Sequence, residues 1–170
     1  GTATPSDVVK FTPQNPNVFP LGAGAFSWFF QGRALGLTTA GEKIDALDLG
    51  GNRLLLSTTA AAKVTLSNGA TLSIADEDVF AYDLTAGRWE SLLVIDGSVV
   101  PGLGAEDING LWDDPNSGDY YVTILGAFNL GGLKGSGKSI VKLTPNGAGF
   151  TPSLVSWTTP PGTIDALHLE

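Results

Sequence analysis

Cysteine is absent from the 170-residue sequence, and so is methionine. Without thiols the chain forms no disulfide, holds no metal through sulfur and uses no cysteine nucleophile. The compartment stays open on this ground, since secreted proteins also do without cystine. Charge is scarce at 15% of residues, and positive charge scarcest: nine Lys and Arg face seventeen Asp and Glu, a net charge of −8. A phosphate backbone or an anionic bilayer is repelled by that balance, so neither nucleic acid nor a membrane surface is an expected partner. No apolar run reaches the roughly 18 residues that a spanning helix needs, so no membrane span is expected. The first residue is Gly1, which points to a processed start. Removal of a secretion signal is one route to it, and an extracellular or cell-surface location is the expectation.

Glycine, by contrast, is abundant, with 23 Gly and 10 Pro beside 42% hydrophobic residues. That composition predicts many turns and few long helices, in one domain spanning residues 1–170 with a substantial core.

The turns separate repeated pieces. Residues 43–49 (KIDALDL) return as 107–113 (DINGLWD) and 163–169 (TIDALHL), a spacing of about 60 residues that signals a repeat architecture. A second element, 7–13 (DVVKFTP), recurs at 78–84 and 139–145. Val8, Val79 and Ile140 align there, as do Phe11, Tyr82 and Leu143, and each copy closes on a turn. An aromatic segment, 26–30, is matched by 89–95 and 153–157. A fourth type, 53–58, follows the first core stretch and 119–124 follows the second, with no third copy. One unit therefore reads as strand, tight turn, strand, longer loop, strand, turn, strand, a four-stranded meander. The first long loop holds an extra hairpin, 64–67 and 70–73 around Asn68-Gly69, the strongest short hairpin signal. The second, 126–138, is glycine-rich and reads as flexible.

Ile44-Asp45-Ala46-Leu47, a turn, the strand 54–58, Val79-Phe80-Ala81-Tyr82-Asp83, Thr85-Ala86-Gly87 and Trp89 resemble β-propeller blades of the NHL and gluconolactonase-like kind, over most of the chain. The resemblance implies that the first strand of each unit lines a central channel, with Ile44, Ile108 and Ile164 near the axis and Trp28, Trp89 and Trp157 at the rim. Radial repetition buries both faces of each sheet, which suits strands that read as nearly continuous apolar runs. The expected fold is all-β, a propeller-like array of about three four-stranded antiparallel blades. One blade is incomplete, latched from both termini by 164–169 with 7–12 and 26–30. A β-trefoil is the alternative. Because propellers typically have four to eight blades, a homodimer completing a six-bladed ring is expected, or a piece of a longer array. Leu47, Leu111 and Leu167 share one position in the core stretch and are expected to be buried between blades unless the strand is bulged.

Chemistry is sparse. The single His168 has no evident catalytic partner, and no Gly-x-Ser-x-Gly elbow is present. Residues 132–139 spell a phosphate loop but run into the repeated strand 140–143 rather than a helix. Asp45, Asn109 and Asp165 occupy one equivalent position, with Glu42, Glu106 and Asp107 just ahead of it. The resemblance implies that such oxygens from different blades hold Ca²⁺, which polarises a lactone and fixes water. The alternative is that these side chains cap the strand entry through backbone N–H groups. The turn containing Asp76, Glu77 and Asp78 is a second candidate for Ca²⁺, while 113–119 reads as turn chemistry. Trp28, Trp89, Trp112 and Tyr120 offer stacking platforms for a carbohydrate or surface ligand, against the alternative of packing between sheets. A non-catalytic secreted or surface binding and assembly module is the functional expectation, with a Ca²⁺-dependent lactonase-like hydrolase as the alternative.

Overall fold

The computed structural model describes residues 1–17, 22–147, 149–156, 162–164 and 167. Trp157, Asp165 and His168 lie outside the described residues. Among the described residues the chain is all-β, with short 3-10 turns and no α-helix.

It opens with a hairpin of β1 (Asp7–Pro13) and β2 (Gly24–Gln31). Two four-stranded antiparallel meanders follow. The first sheet runs in the order β3 (Ile44–Gly50), β4 (Arg53–Thr58), β7 (Phe80–Asp83), β8 (Arg88–Trp89). Between its second and third strands it carries the hairpin β5 (Ala62–Thr65) and β6 (Thr71–Ile74). The second sheet repeats the plan with β9 (Ile108–Asp113), β10 (Tyr120–Ile124), β13 (Ile140–Pro145) and β14 (Phe150–Leu154). Its inserted hairpin is β11 (Phe128–Leu130) and β12 (Leu133–Gly135). The unit expected from the sequence is thus the unit that forms.

Three expectations are corrected. The loop 126–138, expected to lack regular structure, holds the β11–β12 hairpin, because Phe128 and Leu130 alternate into the core and the positive-φ pair Gly131-Gly132 makes the turn, the Gly132 amide donating to Asn129 Oδ1 at 2.9 Å. The aromatic segment 89–95 is a strand only at Arg88–Trp89. It then loops outward through exposed Leu92 and returns at Ile95, which bridges to Val79. The third aromatic strand lies further toward the N-terminus than 153–157, at Phe150–Leu154.

Hydrophobic residues collect in two clusters, one on each face of the first sheet. Leu54 and Leu56 face Phe30 of the hairpin together with Phe80, Tyr82 and Trp89. Leu55 faces the other way, into a cluster with Leu111, Val122, Val141 and Leu143 of the second sheet. A strand covered on both sides has no polar face to alternate, which is why it reads Leu-Leu-Leu. Full burial of each such side chain contributes on the order of 1.5–3 kcal/mol.

Both inner strands are bulged at the same place. Ile44 pairs with Thr58 and Ala46 with Ser57, skipping Asp45. Ile108 pairs with Ile124 and Gly110 with Thr123, skipping Asn109. The leucines that follow part company: Leu111 is 0% exposed, but Leu47 is 44% exposed, so the bulge that was the alternative to burial occurs in both strands and goes with both outcomes. Leu111 meets the first sheet, whereas the two-stranded hairpin that covers Leu54 and Leu56 carries no inner strand to cover Leu47.

Candidate functional site

The candidate site is the seam where β3 lies beside β9, with the turns that feed the third strand of each unit. Those turns recur in one form. The amide of Thr4 donates to Asp7 Oδ2 at 2.8 Å, that of Ala75 to Asp78 Oδ2 at 2.8 Å, and that of Ser136 to Ser139 Oγ at 3.2 Å. Two residues before each of those side chains stands a carbonyl that anchors a core stretch. Ile44 N–H donates to Pro5 O at 3.1 Å, Ile108 N–H to Asp76 O at 3.1 Å and Ile164 N–H to Gly137 O at 2.8 Å. All three copies of the core stretch are therefore fastened in the same way to the preceding unit.

Most of the acidic and amide positions at the seam are consumed by this scaffold. Asp78 accepts from Ala75 N–H with one oxygen and from Gly97 N–H, 2.9 Å away, with the other. Gly97 must be glycine for that approach, since a Cβ would stand 2.4 Å from Glu77 Cγ and 2.5 Å from its carbonyl oxygen. Asn109 is equally spent: its Oδ1 accepts from Thr123 Oγ at 3.1 Å and its Nδ2 donates to Ile164 O at 3.1 Å. Glu42, buried beside β5, accepts from the amides of Thr38, Thr39 and Lys63. Burial alone would raise its pKa, but the backbone N–H groups of Thr39 and Lys63 hold it below the ordinary value.

Asp45 is different. Its carboxyl lies against that of Asp107, and burial followed by the neighbouring Asp107 charge pushes its pKa up to about 7. Asp107 is raised as well, by burial and then by the charge of Asp76. One buried oxygen of each, Asp45 Oδ1 and Asp107 Oδ1, has no hydrogen-bond partner. Burial and the repulsion of neighbouring carboxylates thus bias both carboxyls toward the protonated form.

Of the predicted oxygen ligands, then, Asp45 belongs to this pair and Asp76 adds its charge beside Asp107, Asp78 caps turns, Asn109 clamps Thr123 to Ile164, and Asp165 lies outside the described residues. Among the described residues no three Asp, Glu or His side chains converge in a metal-holding group. The pairing partner Asp107 stands where Lys43 stands in the first copy, a reversal of charge between equivalent positions.

A second contact closes the other end of the seam. Asp48 Oδ2 accepts from the amide of Asp113 at 3.0 Å, and burial followed by the charge of Asp48 raises the pKa of Asp113. Nearby, Arg53 grips Glu90 through two bonds of 2.7 and 2.8 Å.

The aromatic candidates divide. Trp89 is 5% exposed, set edge-on to Phe30 and Tyr82, with Nε1 donating to Leu35 O at 2.9 Å. Tyr120 is half-buried, edge-on to Phe150. Trp112 is half-buried with its ring 5.1 Å from that of Tyr121, and Trp28 stands exposed on β2. Comparison with protein-family models, curated proteins and solved structures finds nothing that matches this chain.

Proposed function

We propose that the chain is a non-catalytic binding and assembly module built of β-propeller-type blades, working outside the cell or at its surface. The observation that carries this reading is the threefold anchor: equivalent isoleucine amides bond equivalent carbonyls, and the side chains around them cap turns. Polar groups repeated in every unit and spent on backbone N–H groups serve construction. A catalytic site needs them free and unlike one another.

A second reading, a Ca²⁺-dependent lactonase-like hydrolase, is favoured by a place where the copies differ, the Asp45–Asp107 pair with its two partnerless buried oxygens. Melting curves in calcium and in chelator, run beside hydrolysis of simple lactones, separate the two. The module reading expects the same melting temperature in both solutions and no hydrolysis above the solvent rate. Calcium-dependent hydrolysis abolished by Asp45→Asn would replace it with the hydrolase.

A further inference from the structure

The β1–β2 hairpin has a face that, among the described residues, no strand covers and only Gly1 and Ala3 border. The pairings Val9↔Trp28 and Phe11↔Phe26 set these four side chains on one side. Val9, Phe26 and Trp28 are exposed, Phe26 by 74%, and the Phe11 and Phe26 rings lie 5.0 Å apart.

The repeat itself identifies what such a face meets. Counting from the equivalent turn residues Asp7, Asp78 and Ser139, Val9 and Phe11 correspond to Phe80 and Tyr82, and again to Val141 and Leu143. Phe26, across from Phe11, corresponds to Trp89, across from Tyr82. In the first sheet this face is sealed by the back of the hairpin, where Phe30 stands edge-on to Tyr82 at 5.2 Å and to Trp89 at 5.7 Å. In the second sheet, Val141 and Leu143 are sealed in one cluster with Ile95 of the first. Phe30 and Ile95 are themselves equivalent, being the partners of Val8 and Val79. Sheets in this chain therefore stack face on back, twice, with the same residue position at the contact.

Among the described residues the pattern leaves one spare face and one spare back. The spare back belongs to the second sheet, where half-buried Trp112, Tyr121, Lys142 and Val155 stand. Val155 occupies the position of Phe30 and Ile95, its amide donating to the carbonyl of Ile140 at 3.0 Å. The two ends are complementary in a further way. Ile164, anchored to Gly137 and Asn109, begins a core stretch beside the second sheet, whereas β1–β2 is a sheet without a core strand.

We propose that the face of Val9, Phe11, Phe26 and Trp28 docks on the back of the β9–β14 sheet of a second copy of this chain, with Val155 of one protomer against Phe11 and Phe26 of the other. The inference rests on the module reading above and names its partner. A second copy fits because the surface this face requires is a back of the kind already stacked twice, and the described residues leave one without a sheet on it. An exposed aromatic at the centre of such a contact dominates its energy.

The test uses the absence of cysteine, so introduced thiols report alone. Light scattering of the parent is expected to give twice the 17.5 kDa chain mass or a multiple of it, and Phe26→Asp to weaken association by at least about tenfold. The far-UV spectrum and melting temperature of that variant should survive, because Phe26 is already exposed. Separately purified Phe26→Cys and Val155→Cys chains, mixed and treated with a short bismaleimide, are expected to cross-link to each other far more than either does alone. A parent of single-chain mass at every concentration overturns the inference, as does an assembly that persists in Phe26→Asp and yields no mixed cross-link. Calcium-dependent lactone hydrolysis would instead remove the module reading, an outcome read in a different assay.

Discussion

Asp45 and Asp107 place their carboxyls against each other across the seam between β3 and β9, each with one buried oxygen that no donor reaches. Asp45 projects from a bulge, the irregularity that strands use to re-aim a side chain. The pair joins two successive sheets, so its protonation state bears on how firmly they are held.

The pH dependence follows in sign. The folded pKa of Asp45, about 7, lies above its ordinary 3.8, so its contribution to stability is fully present below about pH 4 and is lost as pH rises through about 7. Asp107, Glu77, Asp78 and Asp113 are raised too, in each case chiefly by burial, and act in the same direction. Thermal melts are expected to show a higher melting temperature at pH 5 than at pH 8. Asp45→Asn, neutral at both, should flatten that difference and raise the value at pH 8. An unchanged slope in the variant would mean that Asp45 does not carry the pH dependence.

Leu111 and Leu47 hold the same repeat position in opposite surroundings. Leu111→Ala should cost about 2–5 kcal/mol, the range for a large-to-small core change. Leu47→Ala, at a position 44% exposed, should fall nearer the ±0.5 kcal/mol of ordinary surface substitutions. Denaturant melts of the two variants check this, and equal losses would contradict the uncovered inner edge of the first sheet.

Asn109→Ala removes the partner of Thr123 Oγ, which is fully buried, and the donor to Ile164 O. Leaving a buried hydroxyl unsatisfied costs about 1–3 kcal/mol. If Asn109 serves as a clamp, urea melts will register that loss and calcium will not alter it.

Gly97→Ala drives a Cβ into Glu77 and pries the Gly97 amide from Asp78. A destabilisation of about 1–3 kcal/mol is expected, as for overpacking. Gly118→Ala provides the contrast, since a Cβ there meets nothing within 4 Å and only the positive φ of 73° resists it.

The strands were legible where two copies could be laid over one another, as with Val8, Val79 and Ile140, because a shared register constrains both copies at once. The β5–β6 hairpin was legible from Asn68-Gly69 alone. The β11–β12 hairpin was not, since its glycines hid an alternation only two apolar residues long, Phe128 and Leu130. The break after Trp89 escaped for the opposite reason: Leu92, Leu93 and Val94 continue the apolar run, yet Leu92 turns outward. At the site, the bulge positions Asp45 and Asn109 stood out by recurrence. Their divergent fates depended on neighbours brought from far along the chain, Asp107 for the one and Thr123 and Ile164 for the other, and no local pattern encodes those.

The burial of Leu54, Leu55 and Leu56 on two sides at once also governs the order in which this chain can mature. When β8 has left the ribosome the first sheet can close its hydrogen bonds and seat Phe30, but the side bearing Leu55 and Ala81 remains bare until β9 and β10 arrive. Elongation at about 5–20 residues per second leaves that surface open for seconds, to water or to a holding chaperone. Once the second sheet lands, no strand of the first can peel away without stripping a neighbour. Amide exchange at Leu55 should then proceed only through global opening, at the rate set by the stability of the whole chain.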